Sequence, residues 1–160
     1  PSRTGTDMAP ETVVRLAAVG NIVGIKEASG KMDQVGKILS GVKRRDFFVW
    51  SGNDSDTLPM MAMGAYGVIA VVSHLVGRQY RQMMEKYLAG QVAEAAAIHQ
   101  RLLPLMNALF VVANPIPVKW ALNRVGFPVG KPRLPLVEPD EKAAATIDAV
   151  LEGVTIDLPR

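Results

Sequence analysis

Three short apolar segments, each followed by turn residues and an amphipathic stretch, constrain the fold of this chain more than any other feature. The segments occupy positions 21–30, 46–51 and 67–72. Continuous apolar runs of this length are typical of parallel strands that are covered on both faces. Predicted helices at 10–19, 32–39 and 58–63 complete a βα alternation. The first half of the chain is therefore predicted to form an α/β fold with a parallel sheet.

From position 79 onward the pattern changes, because only amphipathic helical segments follow. They cover about 79–88, 91–112, 118–125 and 138–151, and glycine or proline separates them. Because no further strand segment follows, this part of the chain is not expected to extend the sheet. We therefore predict two domains, an α/β domain over residues 1–78 and an all-helical domain over residues 79–160.

The first apolar segment carries a lysine at its carboxyl end. Side chains alternate along a strand, so Lys26 shares a face with Gly24 and Ala28, which leave space around it. A lysine amine in such a place can form a Schiff base with a carbonyl substrate, and removal from water lowers its pKa toward the neutral, nucleophilic form. The alternative is a lysine at a strand end that simply reaches solvent.

Polar or small residues follow all three predicted strands. Lys26 ends the first strand, Asn53 and Asp54 follow the second, and His74 follows the third. Functional residues of parallel sheets gather at the carboxyl ends of the strands. The sequence therefore predicts one site at this edge of the sheet.

Other polar residues have simpler explanations than catalysis. His74 has no second histidine near it in sequence, which favours a loop role over metal binding. Asp54 can cap the following helix, and Glu27, which points away from Lys26, is assigned to a structural pair with a helix residue. His99 is assigned to the surface or to an interface.

Composition excludes several classes of function. The 160 residues include no cysteine, which excludes disulfides, thiolate metal sites and cysteine nucleophiles. The formal charge is +3, and the basic run 43–45 is predicted to be a solvated loop and not a nucleic-acid surface. No apolar run is long enough for a membrane span, and no glycine pattern indicates a nucleotide site. A cytoplasmic location is expected.

Five peptides together identify a family resemblance. They are SRTG at 2–5, GIKEASG at 24–30, SGND at 51–54, GVI at 67–69 and NPIPVK at 114–119. In this order and at this spacing, the chain resembles the 4-hydroxy-tetrahydrodipicolinate synthases, long called dihydrodipicolinate synthases. The first and last peptides favour this family over other class I pyruvate lyases and aldolases.

The resemblance implies a reaction and a set of site residues. Such enzymes condense pyruvate with L-aspartate 4-semialdehyde, the entry step of diaminopimelate and lysine synthesis, with no metal and no cofactor beyond the covalent imine. Lys26 matches the imine-forming lysine, and Arg3 matches the arginine that binds the semialdehyde carboxylate. Ile69 matches a residue whose backbone contacts pyruvate, and Gly52 and Asn53 match the loop that lines the same mouth.

The resemblance also implies that much of the enzyme lies outside this sequence. The family fold is a (β/α)8 barrel with a C-terminal helical domain, usually a homotetramer, and such a barrel takes about 250 residues. The family's threonine pair and catalytic tyrosine have no match here. We therefore predict the C-terminal half, with the last three barrel strands and the helical domain, which needs the N-terminal half as a partner.

Two alternatives stay open at this point. One is another pyruvate-dependent class I aldolase, for which Arg3 is the discriminating residue. The other is a non-catalytic assembly fragment that associates through its C-terminal helices, because proton-transfer residues of the family are missing.

Overall fold

The chain folds into two compact units, one α/β and one all-helical. The structure is a computed structural model and describes residues 1–158. The first unit comprises residues 1–70, and the second unit begins at Val71. Within the described residues there are seven α-helices and one three-stranded parallel sheet. The α/β class predicted for the first half is therefore correct.

The first unit alternates helices and strands as the apolar pattern predicts. Strand β2 lies in the middle and pairs in parallel with β1 on one side and β3 on the other. A short 3₁₀ helix, Asp54–Asp56, follows β2. In chain order the elements are α1 (Pro10–Leu16), β1 (Gly24–Glu27), α2 (Met32–Gly41), β2 (Phe48–Ser51), α3 (Thr57–Ala62) and β3 (Gly67–Val68).

One face of the sheet is covered by the helices of this unit. Ile25 and Val49 point to this side and pack with Val13 of α1 and Ile38 of α2, which are 2% and 0% exposed. Burial of these side chains is the main force that holds the helices on the sheet. Other buried members of the same core are Ala17, Val35, Phe47, Met60 and Ala65.

The opposite face, which we call the open face, carries Lys26, Phe48, Trp50 and Tyr66. Lys26 and Trp50 are register partners on neighbouring strands, so their side chains share this face. The three aromatic rings pack together, with Phe48 and Tyr66 centroids 4.7 Å apart and Trp50 and Tyr66 centroids 5.6 Å apart. Tyr66 is nevertheless 63% exposed, because no element of this unit covers the cluster.

Gly24 allows the aromatic cluster to lie close to β1. A Cβ at this position would lie far inside van der Waals contact of both the Phe48 carbonyl oxygen and the Trp50 ring. Only a residue without a side chain fits there, as expected where a backbone or ring approaches a strand closely.

Arg44 fixes the connection between α1 and β1. Its Nη1 donates to the carbonyl oxygens of Ala17 at 3.0 Å, Val19 at 2.8 Å and Ile22 at 3.2 Å, and its Nη2 pairs with Asp46 at 2.8 Å. Hydrogen bonding to Asp46 raises the pKa of Arg44 and lowers that of the aspartate. The basic run 43–45 is thus a loop, as predicted, but its central arginine is half-buried and structural.

The second unit consists of four helices after its first two residues. They are α4 (Ser73–Leu88), α5 (Val92–Ala108), α6 (Ile116–Arg124) and α7 (Glu141–Glu152), and α4 has a kink at Val76. Large side chains of α4 and α5 are fully buried, among them Tyr80 at 1% exposure and Leu105 at 0%. Helix α7 contributes Ile147, which is 0% exposed.

Polar contacts complete the ends of this unit. Asp140 accepts from the Ala143 amide at 2.8 Å and caps α7. Trp120 of α6 donates from its indole nitrogen to Asp148 of α7 at 3.0 Å. Asp157 accepts from the Gln79 amide at 2.9 Å, which attaches the segment after α7 to α4. The bonds of Trp120 and Gln79 connect parts of the unit that are far apart in sequence.

Two predicted boundaries need correction. The third strand was expected over 67–72 but ends at Val68, because β3 pairs only with β2, through Gly67 and Val68. The domain boundary expected at 78/79 falls inside α4, because that helix already begins at Ser73, and the compact units divide after Ala70. The last two residues of the predicted helical domain, 159–160, lie outside the described residues.

Candidate active site

Lys26 lies at the carboxyl end of β1 on the open face. It is exposed, whereas the next residue, Glu27, is 5% exposed and points into the helix-covered side. The alternation predicted from the sequence is therefore present. Nothing in the first unit encloses the amine, so the removal from water that Schiff-base chemistry favours is not achieved by these residues alone.

The loop after β2 lies directly beside Lys26. The Gly52 amide donates to Glu27 O at 2.6 Å, and a Cβ at Gly52 would lie 2.5 Å from Ala28 Cβ and 3.0 Å from Lys26 Cε. The absence of a side chain at Gly52 therefore keeps a path open for the lysine. This close approach is a structural reason for glycine that the sequence alone did not supply.

Asn53 is held in the same loop by its neighbours. Its Nδ2 donates to Asp56 Oδ2 at 2.8 Å, and its carbonyl accepts from Ser51 Oγ at 2.7 Å. Gly30, the turn residue after β1, faces it, since a Cβ at Gly30 would lie 3.8 Å from Asn53 Nδ2. The structure thus brings Gly52 and Asn53 to the Lys26 end of the sheet.

Ile69 and Arg3 occupy different surroundings. Ile69 follows β3, its amide donates to Ser51 O at 2.9 Å, and its side chain is 51% exposed. Arg3 is exposed in a turn closed by the bond from the Gly5 amide to Pro1 O at 2.8 Å. Among the described residues, no hydrogen bond or ion pair joins Arg3 to Lys26.

A polar network behind the site, buried at Glu27 and Gln34 and exposed at Asp7 and Lys31, was only partly predicted. Glu27 was assigned to a pair with a helix residue, and that residue is Gln34 of α2, whose Nε2 lies 3.3 Å from Glu27 Oε2. The same nitrogen donates to Asp7 Oδ1 at 3.0 Å, and Asp7 Oδ2 pairs with Lys31 Nζ at 2.7 Å. These hydrogen bonds lower the pKa of Asp7 below its usual 3.8. The bond from Lys31 has the larger effect, and the bond from Gln34 the second largest.

The remaining polar candidates lie in other elements. Asp54 is 2% exposed within the 3₁₀ helix, directly before α3, and its role as a helix cap stays a prediction. His74 is exposed at the start of α4 and His99 is half-buried in α5, both in the second unit. Within residues 1–158, no group of three or more histidine, aspartate or glutamate side chains is arranged to hold a metal ion.

Comparison with known proteins identifies the family. The model of the dihydrodipicolinate synthetase family matches residues 1–154. The chain belongs to this family. A 4-hydroxy-tetrahydrodipicolinate synthase of Dehalococcoides mccartyi (strain ATCC BAA-2266 / KCTC 15142 / 195) is 61% identical over 159 residues, which cover 99% of this chain and 53% of that protein.

Solved structures of the dihydrodipicolinate synthetase family agree with the fold. The Thermotoga maritima dihydrodipicolinate synthase matches with a TM-score of 0.90 and 44% identity over 95% of this chain and 52% of its own. A chloride-inhibited synthase from Acinetobacter baumannii, solved in complex with pyruvate, matches with a TM-score of 0.89 and 33% identity over 96% of this chain and 52% of its own. The chain thus spans about half the length of the family members it matches.

Between residues 1 and 158, no helix is both long and apolar enough to cross a membrane.

Proposed function

We propose that this chain is part of a Schiff-base lyase that condenses pyruvate with L-aspartate 4-semialdehyde to 4-hydroxy-tetrahydrodipicolinate. The observation that carries this proposal is Lys26, a lysine at the carboxyl end of a parallel strand with Gly52 beside it and open space in front. Family membership supports the same reaction, because the relatives bear the name of this synthase. The pyruvate complex of the Acinetobacter baumannii relative supports the first substrate.

The proposed reaction uses the Lys26 amine and the two substrates, without a metal ion or an organic cofactor. The Lys26 amine attacks the carbonyl carbon of pyruvate, and water leaves to give an iminium. The iminium accepts the electrons released when the methyl carbon loses a proton, and the resulting enamine carbon attacks the aldehyde of the semialdehyde. The aldehyde oxygen becomes a hydroxyl. The amino group of the semialdehyde then displaces Lys26 from the imine carbon and returns the free lysine.

The other predicted residues would bind and orient the substrates. Arg3 presents a planar fork of donors suited to the carboxylate of the semialdehyde. Gly52 and Asn53 would shape the mouth in front of Lys26, and the backbone of Ile69 would contact pyruvate. Proton transfer is left to residues outside this chain, since no tyrosine here matches the family's catalytic one.

We further propose that the chain is the C-terminal part of a (β/α)8 barrel, completed by the N-terminal half in a homotetrameric enzyme. Two features support this. The open face, with the exposed Tyr66 and Lys26, resembles a barrel interior that lacks its opposing side chains. All strands of the described residues end by Val68 and only helices follow, whereas the first half of a barrel would alternate strands and helices to its end.

The decisive experiment is covalent capture. The protein is incubated with pyruvate, reduced with borohydride and measured by intact mass spectrometry. We expect a stable pyruvyl adduct on Lys26, its complete loss in Lys26→Ala, and its retention in Lys43→Ala, which removes another exposed lysine of the same unit. Capture by Lys26→Ala would overturn the assignment of the imine.

The same measurement tests the proposed half-barrel. An adduct on a protein of about 160 residues would show that this half suffices for imine formation. An adduct on a protein nearly twice as large would mean that this chain is part of an ordinary full-length synthase. A short chain without any adduct would favour the non-catalytic assembly fragment.

The second substrate needs a separate test. Arg3→Ala is expected to weaken use of L-aspartate 4-semialdehyde by tenfold or more, the scale of a lost bidentate carboxylate contact of about 1.5–3 kcal/mol. Imine formation with pyruvate should be unaffected. Unchanged semialdehyde kinetics in Arg3→Ala would instead favour another pyruvate-dependent aldolase.

A further inference from the structure

The side-chain amide of Gln34 connects two parts of the candidate site that are far apart in sequence. Its Nε2 donates to Asp7 Oδ1 at 3.0 Å and to Glu27 Oε2 at 3.3 Å, and it lies 3.4 Å from Met8 O. An amide nitrogen carries two hydrogens, so these acceptors share two donors. Gln34 is 9% exposed, and its loss would remove one hydrogen bond from each carboxylate, leaving Asp7 with Lys31 and the buried Glu27 with the Ser29 amide.

One end of this connection is the strand that carries Lys26. Glu27 follows the lysine directly, is 5% exposed, and accepts from the Ser29 amide at 2.6 Å through its second oxygen. The Glu27 carboxylate therefore fixes both the end of β1 and the turn that leaves it. Through this carboxylate, Gln34 is therefore connected to the strand that carries Lys26.

The other end is the N-terminal segment, which we define as residues 1–8. Asp7 lies four positions after Arg3, and Asp7 Oδ2 also pairs with Lys31 Nζ at 2.7 Å at the start of α2. The segment before Asp7 closes on itself through the bond from the Gly5 amide to Pro1 O at 2.8 Å. The bonds to Asp7 therefore attach this segment to α2 at a point four residues from Arg3.

We propose that Gln34 is a positioning residue that holds the Arg3 segment at a fixed place relative to Lys26. The inference rests on the proposed function, in which Lys26 carries pyruvate and Arg3 binds the carboxylate of the second substrate. Carbon–carbon bond formation requires the enamine carbon and the aldehyde to meet in one geometry, and a displacement of about 1 Å can cost up to a hundredfold in rate. Capture of pyruvate by Lys26 alone has no such requirement for Arg3.

The anchor is tested first on this chain by ¹⁵N relaxation. We expect backbone order parameters near 0.85 for residues 3–8 in the unmodified chain and below about 0.6 in Gln34→Leu. Asp7→Ala should have the same effect, and it removes a side chain that is 29% exposed, so it decides the matter if Gln34→Leu does not fold. Asp33→Asn is the control, because it breaks an exposed ion pair with Lys37 on the same helix.

The catalytic consequence is tested in the complete synthase that contains this chain. Gln34→Leu and Asp7→Ala should each raise KM for the semialdehyde by roughly tenfold or more. The rate of pyruvate capture should stay within about a factor of two of the unmodified enzyme, a change below 0.5 kcal/mol. Because both act through one connection, the double variant should be no worse than the more affected single variant.

The outcomes separate this proposal from the function on which it rests. Order parameters that stay high in both variants, or an unchanged KM despite a mobile segment, would overturn the positioning role. If instead the unmodified enzyme captured no pyruvate, the proposed function would fail, while the relaxation data would still report whether Gln34 anchors the segment.

Discussion

The two units of this protein differ in how completely they bury their aromatic residues. Tyr66, in the first unit, stands 63% exposed on the open face, whereas Tyr80, in the second unit, is 1% exposed. The first unit buries one face of a small sheet and leaves a lysine and three aromatic rings on the other. The second unit presents no such uncovered sheet face, because its described part consists of helices and loops without a strand.

The difference teaches where function can be placed on an α/β scaffold. A side chain that packs in a finished core is fixed by volume, and a substitution there is felt as a cavity or a clash. A side chain on an uncovered face is free to meet a ligand or another part of the protein. The candidate site lies on the uncovered face, and the second unit supplies none of the residues predicted to touch substrate.

The largest effect is expected from matched tyrosine substitutions. Tyr80→Ala should lower the free energy of unfolding by about 3–5 kcal/mol, the range for removal of a buried aromatic side chain. Tyr66→Ala loses only contacts with Phe48 and Trp50, worth about 0.5–1.5 kcal/mol. Urea unfolding measures both values. Equal losses would mean that the open face is as tightly packed as the second unit and would break the comparison.

A smaller effect is expected where the aromatic cluster meets β1. Gly24→Ala places a methyl group against the Phe48 carbonyl and the Trp50 ring, and overpacking of this kind costs about 1–3 kcal/mol. The control is Gly20→Ala, since no atom lies within 4 Å of a Cβ there. The midpoint of urea unfolding should fall for the first variant only. If both variants had the same midpoint of urea unfolding, the close approach at Gly24 would make no difference to stability.

The side-chain cap of α7 in the second unit predicts a smaller effect again. Asp140 caps this helix, whereas α1 and α2 of the first unit, and α5 and α6 of the second, begin without a side-chain capping bond. Asp140→Ala should cost about 1 kcal/mol, and Asp140→Asn, which keeps an acceptor, only a few tenths. Thermal unfolding of the pair measures the difference. A loss as large for asparagine as for alanine would exclude capping as the cause.

The sequence could predict the elements of the first unit but not the length of its third strand. Pro10 and the apolar run before Lys26 placed α1 and β1 within a few residues, because both depend on local pattern. The alternation that puts Lys26 and Glu27 on opposite faces is equally local. The short third strand could not be foreseen, because the length of a strand at the edge of a sheet depends on what pairs with it.

The tertiary contacts of the candidate site were also beyond the sequence. Gly52 was expected in the loop beside Lys26, but its approach to the lysine follows from the pairing of β1 with β2. The contact of Gln34 with Asp7 spans 27 positions and leaves no periodic trace in the sequence. A pattern can assign a residue to an element, whereas a hydrogen bond between elements requires their packing to be known.

The smallest expected effect concerns pH. Lys31, and after it Gln34, lowers the pKa of Asp7 below its usual 3.8, so ionised Asp7 contributes its full stabilisation above pH 3.8 and loses it as the pH falls through the lower value. Carbon-detected NMR titration of the carboxyl group should show this depressed pKa. Gln34→Leu should raise it part of the way, because Lys31 remains. An unchanged pKa in that variant would argue against the bond from the amide.

The aromatic ring that rests on Gly24 has a practical consequence for anyone who works with this protein. The chain contains two tryptophans, Trp50 on the strand next to Lys26 and Trp120 at a bond to Asp148 in the second unit. Each unit therefore carries its own natural fluorophore. Replacing Trp120 by phenylalanine would leave an emission signal that originates one strand away from the lysine and reports what happens to it without any added dye.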